Sequence, residues 1–206
     1  LEVADVENMA NYYLLNIYGA TWDWPHNNWV AARERSQKGK YRLYVWDAEG
    51  AINNKGDRPI SQEMIRTYIL GTATGQTGKT GTRGEMRDLW RGLNRWEEFR
   101  LLFADQINKH LFNNGILDDR DLANSHMKQR FDGLVDEFSD LLRLVMNQSV
   151  QTNKFNSWVS PTVGRRRYLF GPVREDFRVN NLWPNTTPPE FSQFGGAVAE
   201  GYPLLI

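Results

Sequence analysis

Two short segments rich in aromatic and β-branched residues, joined by a polar loop, most constrain the fold of this chain. The first, at residues 29–33, is apolar with a basic end, and the second, at residues 41–46, alternates almost regularly. Such segments favour β-strands, and the Gly-containing stretch at residues 36–40 is typical of a hairpin loop. The sequence therefore predicts an antiparallel hairpin whose paired residues have numbers that sum to about 75–76.

Polar side chains lie at both ends of the base of this predicted hairpin. They are Asp23, His26, Asn27 and Asn28 before the first strand, and Asp47 and Glu49 after the second. The predicted register places Asn28 opposite Asp47 or Ala48. Carboxylate and amide oxygens are ligands that Mg²⁺ accepts. An Asp five residues before an Asn, followed by an Asp after the returning strand, is the layout of a phosphoryl-transfer site.

The same residue types also have an ordinary structural interpretation. Asp, Asn and Pro are common in turns, and Asp47 has the composition of a turn that ends a strand. The neighbouring Trp22, Trp24, Trp29 and Trp46 are more typical of a hydrophobic core than of a ligand site. Spacing alone therefore leaves a turn and a functional site as alternatives.

Composition excludes several classes of protein. The 206 residues suffice for one domain with a sizeable core. The 25 basic and 25 acidic side chains give a formal net charge of zero. General nucleic-acid-binding proteins are usually basic, and a neutral chain has no strong electrostatic attraction to an anionic membrane surface. It has no Cys, which excludes disulfides and thiolate chemistry. No run of about 18 apolar residues is present, so no membrane-spanning helix is expected.

The remaining segments are predicted to be mostly helical. Asp5 can cap a helix that runs to about Tyr18 and ends at Gly19. A long amphipathic helix is expected from Met86 to about Phe112, stopped by Gly115. Its predicted inward side chains are Leu89, Trp90, Leu93, Trp96, Phe99, Leu102, Phe103 and Ile107.

Two further helices complete the prediction. Asp118 and Asp119 are placed to open one that carries apolar residues between Leu122 and Val145, with Phe138 and Leu141 among them. Another short helix is expected to end near Asn180, followed by an irregular tail from Pro184. The predicted fold class is α+β, mostly α, with one small hairpin.

Other chemical signals are weaker. Residues 73–80 resemble a P-loop but carry Ala73 where the pattern requires Gly, and the Gly residues that follow disfavour the helix it needs. His26, His110 and His126 are too scattered for a His-rich metal site. The acidic run at residues 118–121 lacks the Gly and Glu of a calcium loop. Arg165–Arg167 are typical of a solvated surface, with phosphate contact as the alternative.

Several segments together resemble one protein family. They are Asn11-Tyr12-Tyr13, the Asp23–Asn28 cluster, Trp46-Asp47-Ala48-Glu49, residues 101–105, residues 110–115 and residues 189–196. This set is similar to the spore-coat CotH kinase family, and the similarity covers most of the chain. The resemblance implies an atypical protein-kinase-like fold and ATP-dependent phosphorylation of Ser or Thr in a protein substrate.

The resemblance also implies roles for the residues at the base of the hairpin. Asp23 would be the catalytic carboxylate, while Asn28, Asp47 and Glu49 would bind Mg²⁺ or Mn²⁺. His26 and Asn27 would support them. ATP would be the phosphoryl donor. In place of the kinase Asp-Phe-Gly, this chain has Asp47-Ala48-Glu49-Gly50.

The resemblance carries an expectation about domain organisation. Residues 1–183 would form the C-terminal lobe, with the nucleotide-clamping lobe upstream, and residues 184–206 would lead towards a following β domain. The segment alone is then expected to bind ATP weakly and to turn over little. The implied location is extracellular or in the cell envelope. A non-catalytic surface or adhesion module with the same fold is the alternative function.

Overall fold

A helix, a hairpin and three further helices form the structure, which is a computed structural model. It describes residues 3–19, 21, 24–25, 27–48, 51, 85–112, 115–118, 126–145, 174–184 and 199–203. The elements are α1 (Val6–Gly19), β1 (Trp29–Ala32), β2 (Arg42–Val45), α2 (Glu85–Leu93), α3 (Glu97–Leu111) and α4 (His126–Val145). Residues 174–179 add a short helical segment. The predicted α+β class is confirmed.

The start of α1 follows the sequence prediction. The Asp5 carboxylate accepts a hydrogen bond of 3.0 Å from the Asn8 backbone N–H, so Asp5 is the cap of the helix. From Met9 onwards α1 is buried on nearly all sides, apart from the half-buried Asn11 and from Leu15, which is 43% exposed. Because a helix that is apolar all round belongs inside a protein, α1 forms the centre of the core.

The predicted hairpin is present, but its register differs from the prediction. Trp29 pairs with Val45 and Val30 with Tyr44, so Asn28 comes level with Trp46 instead of Asp47 or Ala48. The turn that the Gly39 N–H closes with the Ser36 carbonyl is centred between residues 37 and 38, as expected. The last strand pair is Ala32 with Arg42, so the shift arises in the connection at residues 33–41 between the two strands. Side chains alternate between faces, which leaves Leu43 buried and places Tyr44 on the outer face.

The amide side chain of Asn8 attaches β2 to α1. Its Nδ2 donates to the Leu43 carbonyl at 3.2 Å, and its Oδ1 accepts from the Leu43 N–H at 2.7 Å. One residue before the strand, Tyr41 exchanges backbone hydrogen bonds with Val3 and Asp5. The edge of β2 that faces away from β1 is therefore paired by the start of α1.

An ion pair supports the same junction. Arg42 Nε lies 2.8 Å from the Asp5 carboxylate. The hydrogen bond from the Asn8 backbone is the largest cause of a pKa of Asp5 below its usual value, and Arg42 adds to the effect. Asp5 thus caps α1 and holds β2 with the same carboxylate.

The single long helix predicted over residues 86–112 is wrong, because the structure has two helices there. After Leu93 the chain forms a turn, in which the Trp96 N–H donates to the Leu93 carbonyl at 3.0 Å. Trp96 adopts an extended conformation at the start of α3 and is 45% exposed. Its predicted inward position is therefore also wrong, since it lies in the turn between helices. The Arg100 guanidinium donates to the half-buried Asn94 carbonyl at 2.8 Å and stabilises this break.

Aromatic rings connect α1, α2 and α3. Trp90 packs against Tyr13 with ring centroids 4.8 Å apart and against Phe103 at 5.4 Å. Phe103 continues to Phe177 at 5.5 Å, in the short helical segment of residues 174–179. The Tyr13 hydroxyl donates to the Met86 carbonyl at 2.7 Å. Edge-to-face contacts of this kind stabilise a core beyond the area they bury.

Gly115 follows α3 as predicted. A Cβ at this position would lie 2.5 Å from the Lys109 carbonyl oxygen, so only Gly fits against the end of the helix. Asp118, by contrast, is buried and lies outside any helix, although the sequence predicted it to open one. Its backbone N–H donates to the Gly115 carbonyl, so Asp118 is part of the turn at residues 115–118.

The face of α4 that was predicted to point inwards is exposed in part. Phe138 is 52% and Leu141 58% exposed, because no other element of the described chain covers them. The short helix predicted to end near Asn180 is confirmed where it is described, at residues 174–179. Within the described ranges, no helix is long and apolar enough to cross a membrane.

Several predictions fall outside the described residues. They concern Trp22, Asp119, the P-loop-like residues 73–80, Asp121, Arg165–Arg167 and the tail at residues 189–196.

Two glycines give a matched test of the hairpin loop. A Cβ on Gly39 would lie 2.2 Å from the Glu34 carbonyl oxygen, whereas one on Gly92 would meet nothing within 4 Å. We expect Gly39→Ala to lower the free energy of unfolding by about 1–3 kcal/mol through overpacking, and Gly92→Ala to raise it by about 0.5–1 kcal/mol because it is helical. Urea unfolding measures both. Equal effects of the two substitutions would contradict the loop geometry.

Candidate functional site

The structure describes three of the six residues predicted at the site. Asn27, Asn28 and Asp47 lie at the base of the hairpin, where β1 begins and β2 has ended. Asp23, His26 and Glu49 lie outside the described residues. The geometry of the site is therefore built from Asn28 and Asp47 and from the residues that anchor the loop before β1.

Asn28 and Asp47 are in direct contact, as the sequence predicted, but through different atoms. Asn28 Nδ2 donates to the backbone carbonyl of Asp47 at 3.2 Å. The sequence predicts the Asn28 amide opposite the Asp47 carboxylate. In the structure the register is shifted, so that Asn28 is level with Trp46 and contacts the Asp47 backbone carbonyl. The contact closes the open end of the hairpin and fixes the positions at which these two side chains leave the backbone.

Both residues have a backbone conformation that is rare outside glycine. The φ angle is 58° at Asn28 and 51° at Asp47. Asn and Asp adopt this left-handed region more readily than other residues with a side chain. Such conformations concentrate at functional sites, where they aim side chains that regular structure would direct elsewhere. Two of them in contact mark the base of the hairpin as a candidate site.

The loop that carries Asp23 is anchored to α1 on both sides of that residue. Thr21 is buried and its N–H donates to the Asn16 carbonyl at 3.1 Å. Trp24 is fully buried, and its indole Nε1 donates to the Tyr12 hydroxyl at 3.0 Å. The core interpretation of Trp24 is confirmed, and its role is to hold the loop against α1.

Tyr12 is a positioning residue that residue-by-residue reasoning did not predict. Burial raises the pKa of Tyr12 to about 12, with the hydrogen bond from Trp24 acting in the opposite direction. The hydroxyl therefore stays protonated over the physiological pH range and accepts the hydrogen bond from the Trp24 indole N–H as a neutral group. The sequence feature that includes Tyr12 is the Asn11-Tyr12-Tyr13 segment of α1. This segment contributes to the family resemblance, but it does not indicate that Tyr12 contacts Trp24.

The side chains at the base of the hairpin fit a hard cation in part. Nδ2 of Asn28 donates to the Asp47 carbonyl, so Oδ1 is the atom of this amide that suits a cation. The Asp47 side chain is exposed, so its carboxylate is accessible to a cation. Within the described ranges, no three His, Asp or Glu side chains are grouped to hold a metal ion. A complete ligand set therefore needs residues beyond Asn28 and Asp47.

The outer face of the hairpin is exposed and apolar beside this site. Val30, Tyr44 and Trp46 alternate with the core-facing residues and are 40%, 48% and 64% exposed. The core interpretation is wrong for Trp46, because the strand ends before it and no described element covers it. Trp29, on the other face, packs against the core as predicted.

A separate groove of about 560 Å³ lies elsewhere on the molecule. Its walls are the outer side of α3, including Arg100 and Leu101, and the segment that contains Asn180 and Trp183. No residue of the hairpin lines it, so it is distinct from the candidate site.

A comparison with protein families identifies the chain. The model of the family described as CotH kinase protein matches residues 2–159, which is more than half of the sequence. The chain therefore belongs to the CotH kinase family, as its motifs indicated, and this family description is that of a kinase-like enzyme. Comparisons with curated proteins and with solved structures found no significant match.

Two of the segments that marked the family meet where α1 crosses α3. His110 Nε2 lies 3.0 Å from the Asn11 side-chain oxygen. Burial is the largest cause of a lowered pKa at His110, the Lys109 cation contributes, and Glu7 opposes them. His110 is therefore neutral at neutral pH in the folded protein.

This lowered pKa predicts a pH dependence of stability. Below the usual value of 6.5, the unfolded chain takes up a proton at His110 more readily than the folded chain. The stabilisation present above that pH is consequently lost as the pH falls. We expect the free energy of unfolding to decrease more between pH 7.5 and pH 5.5 for the wild type than for His110→Gln. Urea unfolding at both values measures this, and identical slopes would contradict the burial of a neutral His110.

Proposed function

We propose that this chain contributes to ATP-dependent phosphoryl transfer onto Ser or Thr of a protein substrate, with Mg²⁺ or Mn²⁺ as the metal. The observation that carries the proposal is the contact between Asn28 and Asp47, both left-handed, at the base of the hairpin. In kinases an Asn and an Asp on neighbouring segments bind the metal ions that bridge the phosphates. Membership of the CotH kinase family supports the same chemistry.

The proposal assigns a role to each residue predicted from the sequence. Asp23 orients or deprotonates the acceptor hydroxyl. Asn28, Asp47 and Glu49 bind the metal, and the metal offsets negative charge on the phosphates. His26 and Asn27 support the loop. Thr21 and Trp24, which flank Asp23 in the sequence, are both anchored to α1.

The exposed outer face of the hairpin fits this proposal. Val30 and Tyr44 form an apolar surface next to Asn28, and nucleotide sites are mostly apolar with a few convergent polar groups. We propose that this surface receives the nucleobase, with residues 1–183 as the C-terminal lobe of a kinase-like fold. An upstream lobe would then close over the nucleotide, and residues 184–206 would lead to a following domain, in an extracellular or envelope protein.

A non-catalytic surface or adhesion module is the second candidate. It is favoured by one observation, which is that Asn28 contacts the Asp47 carbonyl instead of its carboxylate. In such a module the contact would only close the hairpin. The two candidates differ in whether a nucleotide and metal bind at this position.

The test uses substitutions that keep the backbone unchanged. Asn tolerates the left-handed conformation of Asp47, so Asp47→Asn removes the charge without adding the strain that Ala would bring. We expect Asp47→Asn to weaken Mg²⁺-dependent ATP binding by about tenfold or more, since one metal ligand loses its charge. Because the segment alone is expected to bind ATP weakly, calorimetry measures this on a protein that joins these residues to the proposed upstream lobe. Asp88→Asn, at an exposed position of α2, is the matched control.

A second substitution separates binding from transfer. Asp23→Asn should spare ATP binding and lower the rate of phosphate transfer to a Ser-containing protein by about 10²-fold or more, because a general base contributes that much. Transfer is followed with labelled ATP. ATP binding unaffected by Asp47→Asn would remove the metal role, and absence of metal-dependent ATP binding by the wild type would favour the adhesion module.

A further inference from the structure

The tip of the hairpin concentrates positive charge in a chain that is neutral as a whole. Residues 33–42 contain five of the 25 basic side chains and one acidic residue, Glu34. The basic residues are Arg33, Arg35, Lys38, Lys40 and Arg42. All five are exposed. A formal net charge of zero for the chain therefore conceals a strongly basic patch, which we call the basic tip.

Most of this charge has no acidic partner in the described part of the chain. Arg42 alone forms an ion pair, with Asp5. Arg33 donates instead to the Ser36 carbonyl at 3.2 Å and lies 5.4 Å from the centre of the Tyr41 ring. These contacts hold Arg33 in place without neutralising it. Like charges so close together repel one another, and an anionic partner would relieve that repulsion.

The position of the basic tip relates it to the candidate site. The tip stands at one end of the hairpin, and Asn28 and Asp47 stand at the other. From Asn28 to Arg33, the first residue of the tip, the chain advances five residues through β1, or about 16 Å, since a strand rises about 3.3 Å per residue. A polypeptide that reaches from one end to the other must therefore span at least about five extended residues.

We propose that the basic tip docks an acidic segment of the protein substrate, while the acceptor Ser or Thr lies at the base of the hairpin. The inference rests on the proposed function for its substrate, and on charge complementarity for the docking itself. The one large apolar side chain of the basic tip is Tyr41, and its ring lies beside the Arg33 guanidinium. The tip therefore offers charge and little apolar surface to insert between lipids, which favours a polypeptide over a membrane surface as the anionic partner.

The first experiment measures docking alone, without phosphate transfer. A labelled poly-glutamate peptide that lacks Ser and Thr is titrated with the 206-residue chain. Arg35→Glu/Lys38→Glu should weaken binding by about tenfold or more, and raising the salt from about 0.05 to 0.5 M should do the same for the wild type. Arg95→Glu/Arg130→Glu is the matched control, because it changes the net charge equally at exposed positions outside the tip.

The outcomes of this experiment are distinct. Weaker binding by Arg35→Glu/Lys38→Glu with unchanged binding by the control supports the docking surface. Equal binding by both variants, or binding that ignores salt, overturns it. Preference for phosphatidylglycerol vesicles over the peptide would also overturn it, because the partner would then be a membrane. Far-ultraviolet circular dichroism checks that both variants are folded.

The second experiment joins docking to transfer. Ser peptides with an acidic run more than four residues from the acceptor should show a lower KM than peptides without it, and Arg35→Glu/Lys38→Glu should abolish the difference while leaving kcat unchanged. In a protein that joins these residues to the proposed upstream lobe, docking without any transfer would count against the proposed function and leave the surface intact. Transfer whose KM ignores the acidic run would count against the docking surface alone.

Discussion

The pair of hydrogen bonds between Asn8 and Leu43 is the contact on which the arrangement of this protein depends. The amide side chain of Asn8 pairs with both the N–H and the carbonyl of Leu43. Leu43 lies in β2, and these groups are on the edge of β2 that faces away from β1. An unpaired backbone group in a partly buried position costs about 1–3 kcal/mol. Through this contact the hairpin is fixed to α1, and the base of the hairpin is fixed relative to the loop that Trp24 anchors to the same helix.

Much of the fold follows from local sequence signals. Asp5 caps α1, residues 29–33 and 41–46 pair as a hairpin, and Gly115 ends the turn after α3, all as predicted. These features depend on neighbours in the sequence, so pattern and propensity suffice. The register of the hairpin and the break near Asn94 depend on backbone contacts within a loop, and periodicity does not encode them. The exposure of Phe138 depends on what else packs nearby, which is a tertiary property.

The candidate site likewise has some features that follow from local sequence and others that depend on contacts within the fold. Spacing sufficed to bring Asn28 and Asp47 together, because the two ends of any hairpin meet at its base. Spacing could not give their left-handed conformations or the choice of the Asp47 carbonyl as the acceptor, since both follow from a register that the loop sets. The role of Tyr12 was hidden for another reason. A buried tyrosine on an apolar helix is predicted to be a core residue, and only the structure shows that its hydroxyl accepts a hydrogen bond from the Trp24 indole.

Adjacent positions on α1 connect two distant parts of the chain. Asn11 contacts His110 on α3, and the next residue, Tyr12, contacts Trp24 beside the candidate site. A helix turns as a rigid body, so any rotation of α1 changes both contacts together. Positions 11, 12, 24 and 110 are consequently constrained as one set. During evolution they are expected to be exchanged jointly or kept jointly, even though they lie far apart in the sequence and on separate structural elements.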